Sequence, residues 1–229
     1  MRAPIVLAVD TTDIERARDW VQATRQSISI IKLGLEFFLA HGQSGITYVR
    51  EVAPELELFL DLKLHDIPNT VAGATRAIAE LKPDYLTVHA SGGANMVSAA
   101  AAELPQGKIT AVTVLTSFSD AEVADLGITG TSGEIVVRWA QAAVAAGARA
   151  IVASPHEVQS LRVSLPQEIT LITPGVRPSG SAKGDQSRVA TPEEAISWGA
   201  NFVVIGRPIT SGSTLKEIAE NAARIASSF

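Results

Sequence analysis

The segment Asp61-Leu62-Lys63-Leu64-His65-Asp66-Ile67-Pro68-Asn69-Thr70 places an acid, a base and a second acid close together, directly after the run Glu57 to Leu60. Carboxylates beside an ammonium favour its charged form, so the three residues can hold one another ionised. If Leu58 to Lys63 is a strand, its period of two puts Asp61 and Lys63 on one face, with Asp66 just past the strand end. The three charges then converge at one point. Buried charges are costly unless paired, so such a cluster beside an apolar strand points to use. The structural alternative is an ion pair at a strand terminus, with Asp66 capping a helix that opens at Ile67-Pro68. On this segment alone both readings stand.

The elements that must position these groups recur along the chain. Short apolar runs at Ile5 to Asp10, Ile28 to Leu33, Leu58 to Lys63, Tyr85 to His89, Ile109 to Val114, Ala150 to Ala153, Thr170 to Thr173 and Phe202 to Ile205 read as strands. Between them lie helix-like stretches such as Asp13 to Ser27, Val71 to Glu80, Met96 to Glu103, Glu134 to Ala146, Pro192 to Trp198 and Leu215 to Ala226. Continuous apolar strands alternating with helices indicate a parallel sheet covered on both faces. Eight such units in 229 residues predict a (β/α)₈ TIM barrel, one domain over residues 1–229. A doubly wound open sheet is the second architecture, but no Gly-x-Gly-x-x-Gly follows the first strand to support its dinucleotide-binding version.

Polar residues gather at one end of these strands. Asp10, Lys32, Asp61, Lys63, His89, Thr116, the Thr173-Pro174-Gly175 turn and Gly206-Arg207 all sit at or just beyond a strand's C-terminal end, where a barrel carries its active site. Thr173-Pro174-Gly175-Val176-Arg177, which opens a polar loop running through Gly184-Asp185-Gln186, and Gly206-Arg207-Pro208 follow the last two strands. Barrels often bind phosphate there, using glycine backbone N–H groups and arginine forks. The loop at about 175–188 also reads as a lid closing over that phosphate.

Composition narrows the classes. With 46% hydrophobic and 19% charged residues there is material for a large core. A net charge of −5 and few aromatics argue against a nucleic-acid partner, and the absence of cysteine excludes disulfides and thiolate chemistry. No run reaches membrane-spanning length and Met1-Arg2-Ala3-Pro4 lacks the pattern of a secretory signal, so a cytoplasmic protein without membrane association is expected.

Taken together, the Asp61 to Thr70 block, Lys32, Thr173-Pro174-Gly175-Val176-Arg177, Asp185-Gln186 and Gly206-Arg207-Pro208-Ile209 resemble the bacterial-type orotidine 5′-phosphate decarboxylase family over essentially the whole chain. Asp-x-Lys-x-x-Asp alone is shared with other phosphosugar enzymes. Its combination with Ile-Pro-Asn-Thr and the two phosphate segments is specific. The resemblance implies a cofactor-independent, metal-free carboxy-lyase that converts orotidine 5′-phosphate to uridine 5′-phosphate in pyrimidine biosynthesis. It further implies that Asp10 and Lys32 contact the ribose, that Lys32, Asp61, Lys63 and Asp66 form an alternating charge network, and that Thr116 holds the pyrimidine edge. Arg177, Gln186, Gly206 and Arg207 would take the phosphate. Asp66, Ile67 and Thr70 would complete the site of a partner in a homodimer, and Lys63 would protonate C6.

Two rival functions share the barrel. A metal-dependent phosphosugar decarboxylase or aldolase could use His89 and Asp61 as ligands, but such relatives carry Glu where this chain has Lys32, whose ammonium opposes a divalent cation. A silent phosphate-binding scaffold would have no need of the charge network. His65 is expected to turn away from Asp61 and Lys63 in a supporting role, His41 and His156 to lie on the surface, and Trp20, Trp139 and Trp198 to pack helices onto the barrel.

Overall fold

In the computed structural model, which describes residues 2–115, 118–177 and 190–229, the apolar runs become strands β1 (Ile5–Ala8), β2 (Ile30–Gly34), β3 (Glu57–Leu64), β4 (Tyr85–His89), β5 (Lys108–Val112), β6 (Ala150–Val152), β7 (Thr170–Thr173) and β8 (Phe202–Ile205). Every residue of β1 and β7 is buried, as a strand covered on both faces requires. Parallel ladders join each strand to the next, and Leu7 pairs with Ile205 to bring β8 back to β1, closing the barrel.

Side-chain alternation divides the core in two. Val6, Ile30, Phe59, Tyr85, Ala150 and Ile172 form a cluster inside the barrel. Their neighbours, Ile5, Leu7, Ile31, Leu58 and Leu60 among them, point outward and pack beneath the helices. Trp20, Trp139 and Trp198 are half-buried against this outer layer, in the packing role expected of them.

The helical layer comprises α1 (Ile14–Thr24), α2 (Leu35–Arg50), α3 (Pro68–Ile78), α4 (Ala94–Glu103), α5 (Asp120–Asp125), α6 (Ser132–Ala145), α7 (Val158–Ser164), α8 (Pro192–Ser197), α9 (Arg207–Thr210) and α10 (Leu215–Ala226). Local chemistry starts several of them. The Asp13 carboxylate accepts from Arg16 N at the head of α1, and reciprocal Ser/Thr–Glu pairs, Ser119 with Glu122, Thr131 with Glu134 and Thr191 with Glu194, open α5, α6 and α8. α2 is interrupted at Gly42, which takes φ +60°. Among the described residues no helix is long and apolar enough to cross a membrane.

Candidate active site

The strand that carries the acid–base segment is irregular where the chemistry lies. β3 pairs Leu60 with Leu86 and next Leu64 with Val88, so residues 61–63 of β3 face a single residue of β4, Thr87. The slack is taken up at Lys63, which adopts φ +50°. A non-glycine residue in this left-handed region costs on the order of 1–3 kcal/mol and persists only where its surroundings hold it. Here the Thr87 hydroxyl does so, accepting from Lys63 N at 2.8 Å while donating to Asp61 Oδ1 at 3.1 Å.

Asp61 and Lys63 both line a cavity of about 210 Å³ at the C-terminal mouth of the barrel, as the strand period predicts. Lys63 Nζ donates to Asp61 Oδ1 at 2.7 Å, Lys32 Nζ lies 3.2 Å from Asp61 Oδ2, and the same ammonium is 3.4 Å from Asp10 Oδ1. Charges therefore alternate in a chain from Asp10 through Lys32 and Asp61 to Lys63. Phe59, Val112, Val114, Leu115, Val152 and Val204 supply apolar walls, and Lys32 and Asp61 are the largely buried members of the chain, while Asp10 and Lys63 reach toward solvent.

Burial and pairing compete in setting the protonation of this array. Burial alone would push the Lys32 ammonium down, but the carboxylates of Asp61 and Asp10 outweigh it and hold Lys32 above its ordinary value. Burial would likewise raise Asp61, yet the ammonium groups of Lys32 and Lys63 hold its carboxyl below the usual carboxylate range. Both shifts keep Lys32 and Asp61 charged at neutral pH.

Asp66 departs from the convergence read in the sequence. It is exposed, accepts from its neighbour Ile67 N at 2.6 Å, and forms no ion pair with Lys63 within the chain: β3 ends one residue after the left-handed Lys63, and residues 65–70 are exposed. Nor does Asp66 cap α3. The N-cap is Ile67, without a side-chain cap bond, and Pro68 occupies the first turn. Ile67 is 66% exposed and Thr70 is exposed as well.

At the far end of the array, the loop after β8 runs against β1. A side-chain carbon at Gly206 would stand 3.3 Å from Ala8 Cβ and 3.7 Å from Asp10 Oδ2, and Arg207 opens α9 immediately after it. Pro174 reaches the cavity from the β7 turn, where Gly175 takes φ +86°, and Arg177 N donates to Ala190 O at 2.9 Å. Thr116, Gln186 and most of the expected lid loop lie outside the described residues.

His65 sits apart from the charge array, as expected, although simple alternation would group it with residues 61 and 63; the left-handed turn at Lys63 breaks that alternation. Its ring lies tilted at 44° to that of His89, centroids 5.4 Å apart, in a second cavity of about 280 Å³ that shares the wall residues Val114 and Leu115 with the first. Burial, then the neighbouring His65 and Lys63, push the His89 imidazole below its ordinary value. His41 Nε2–H donates to Thr12 O at 2.7 Å on the exposed side of α2. The residue that the sequence did not reveal is Thr87; its only signal there is a hydroxyl in the middle of an otherwise apolar strand, two positions from the inward-facing Tyr85.

Comparison with known proteins gives a consistent result. The family model described as "Orotidine 5'-phosphate decarboxylase / HUMPS family" matches residues 3–222. The chain is 53% identical over 210 residues to orotidine 5′-phosphate decarboxylase of Thermobifida fusca, covering 92% of this chain and 90% of that protein. It is 45% identical over 227 residues to the Frankia casuarinae protein of the same name, covering 91% and 82%. Among solved structures, orotidine 5′-phosphate decarboxylase from Lactobacillus acidophilus superimposes with a TM-score of 0.82 at 31% identity, covering 97% of this chain and 98% of that one.

Proposed function

This chain belongs to the orotidine 5′-phosphate decarboxylase / HUMPS family, and on that premise we propose that it decarboxylates orotidine 5′-phosphate to uridine 5′-phosphate in pyrimidine biosynthesis, without a cofactor, and that Lys63 protonates C6. The observation that carries this reading is the alternating array of Asp10, Lys32, Asp61 and Lys63 beside an apolar cavity at the barrel mouth.

Breaking the bond from C6 to the carboxylate leaves its electron pair in the ring plane, where the ring carbonyls do not take it up by simple conjugation. The barrier is correspondingly high. Enzymes reach accelerations of roughly 10¹⁷-fold, about 23 kcal/mol, and a site of this kind must find a large share in charge already in place. The Lys63 ammonium supplies that charge, then transfers a proton to C6; carbon dioxide and uridine 5′-phosphate leave, and the amine regains its proton from solvent. Asp61 aims Lys63 through their 2.7 Å hydrogen bond, and Lys32 keeps Asp61 ionised. The alternative in which a carboxylate strains the substrate's own carboxylate ranks lower, because stabilisation of the developing charge already follows from the geometry.

The substrate's other parts fit the remaining residues. Asp10 and Lys32 meet the ribose, Thr116 the pyrimidine edge, and Arg177, Gln186, Gly206 and Arg207 the phosphate, whose binding energy closes the lid loop and organises the charges from a distance. The adjacency of Gly206 to Asp10 supports a single ligand spanning both. The exposure of Asp66, Ile67 and Thr70 supports their insertion into the neighbouring site of a cytoplasmic homodimer.

The family also embraces the HUMPS branch, and a metal-dependent phosphosugar reaction is the rival to test. Two ammonium groups flanking Asp61 oppose a divalent cation there. The experiment follows the loss of the orotate ultraviolet band with purified protein, with and without exhaustive chelation, and identifies the nucleotide formed. Turnover that survives chelation is expected; no turnover of orotidine 5′-phosphate overturns the assignment.

A further inference from the structure

We propose that Thr87 is a positioning residue for the decarboxylation, acting through Lys63 and Asp61; the inference rests on the function proposed above and extends it to a strand to which no role has yet been given. Thr87 is fully buried near the middle of β4. Its hydroxyl meets the two halves of the acid–base pair at once, accepting from the backbone N–H of Lys63 at 2.8 Å and lying 3.1 Å from Asp61 Oδ1. The direction of the second bond follows from the chemistry. An ionised carboxylate only accepts, so the hydroxyl proton points to Asp61, which leaves the oxygen lone pairs for Lys63.

The position of this hydroxyl is tied to the irregularity of β3. Where the ladder passes from Leu60–Leu86 to Leu64–Val88, Thr87 is the one β4 residue opposite the bulge, and its side chain receives the Lys63 N–H. Lys63 at φ +50° is held in a conformation that L residues seldom adopt, and the backbone there fixes where the ammonium begins. Asp61 Oδ1 then takes both the Thr87 hydroxyl and the Lys63 ammonium, closing a small ring: Lys63 backbone, Thr87 hydroxyl, Asp61 carboxylate, Lys63 side chain. Removing the hydroxyl opens that ring on two sides. Both the backbone origin of Lys63 and the rotamer of Asp61 lose a restraint, and a misplacement near 1 Å costs about a hundredfold in rate.

Thr87→Val and Thr87→Ser separate hydroxyl from packing. Thr87→Val preserves shape and deletes the hydroxyl; we expect kcat to fall roughly 10- to 100-fold while KM for orotidine 5′-phosphate and Kd for uridine 5′-phosphate stay within about threefold, because the defect lies in alignment and not in binding. Thr87→Ser keeps the hydroxyl and drops the methyl, and should hold kcat within about fivefold of the parent. If Thr87→Val does not fold, as judged by circular dichroism, Thr87→Ala replaces it in the same comparison with Thr87→Ser. A folded hydroxyl-free variant with parental kcat overturns the proposal, and so does a Thr87→Ser variant as slow as Thr87→Val or Thr87→Ala. A parent protein that fails to decarboxylate orotidine 5′-phosphate overturns the assigned function instead, which keeps the two failures distinct.

Discussion

Both ends of the barrel hold lysine inside the ring of strands, one at the N-terminal end and two at the C-terminal end, and the two ends handle it in opposite ways. At the N-terminal end Lys108, the first residue of β5, donates to Thr170 Oγ1 at 3.0 Å, lies 3.4 Å from Tyr85 Oη and stands 5.0 Å from the Tyr85 ring centroid. Burial, then Glu57, push the Tyr85 phenol far above its usual range, so it stays a neutral hydroxyl. At the C-terminal end Lys32 and Lys63 face carboxylates across a cavity. A half-buried lysine set against an aromatic ring and two hydroxyls is held in place by neutral groups. Lysines strung between carboxylates beside open space hold charge for something that is yet to arrive. The backbone agrees with this division: the strand is regular at Lys108 and left-handed at Lys63.

The comparison breaks most readily at Lys63. Lys63→Ala should lower kcat by roughly a thousandfold or more, at least about 4 kcal/mol of lost transition-state stabilisation, while binding of uridine 5′-phosphate remains measurable by calorimetry. Near-parental turnover would place the mouth lysines in the same structural class as Lys108. Asp61→Asn comes next. It leaves Lys32 and Lys63 without the carboxylate between them, and we expect turnover to fall about a hundredfold and stability by about 3 kcal/mol in urea denaturation.

Lys108→Met provides the opposite arm. The loss of its hydrogen bonds should cost about 1 kcal/mol in stability, with kcat and KM within about twofold of the parent. A large kinetic defect in a folded Lys108→Met protein would erase the contrast between the ends.

The smallest effects concern pH. Asp61, held below its ordinary 3.8, contributes stability that is complete above that value and lost as pH falls through its lower folded value. Lys32, held above 10.5, contributes stability that is complete below 10.5 and lost as pH rises through its folded value. The stability gap between the parent and Asp61→Asn should thus be flat from about pH 5 to 9, narrowing in stronger acid as Asp61 protonates and in stronger alkali as Lys32 loses its proton, as urea midpoints across pH would reveal. His89, held below 6.5, favours the neutral form on folding, so its contribution is present above 6.5 and is lost as pH falls; His89→Gln should flatten that decline.

Much of this architecture was legible in the sequence because its strands are buried on both faces and read as unbroken apolar runs. β4, β7 and β8 fall at their expected boundaries, and the common face of Asp61 and Lys63 follows from a period of two. The expected strand at Ile5 to Asp10 stops at Ala8, leaving Asp10 on the loop, since a strand-end carboxylate turns readily to its charge partner Lys32. What was hidden has a common cause. The left-handed Lys63 has no glycine to announce it, Thr87 gains its meaning only from a ladder shift between two strands, and Asp66 faces away from the chain that carries it. Each depends on how separate segments meet rather than on local propensity.

Closure of the barrel through β1 and β8 has a consequence during synthesis. β1, entirely apolar as Ile5-Val6-Leu7-Ala8, is synthesised before the other seven strands, yet its second neighbour ends at Ile205. At the usual pace of translation that strand waits roughly 10–40 s with one edge unpaired. An exposed apolar edge invites other nascent chains, so early protection by a chaperone, or by docking of α1 and α2, should govern how much of the newly made protein escapes aggregation.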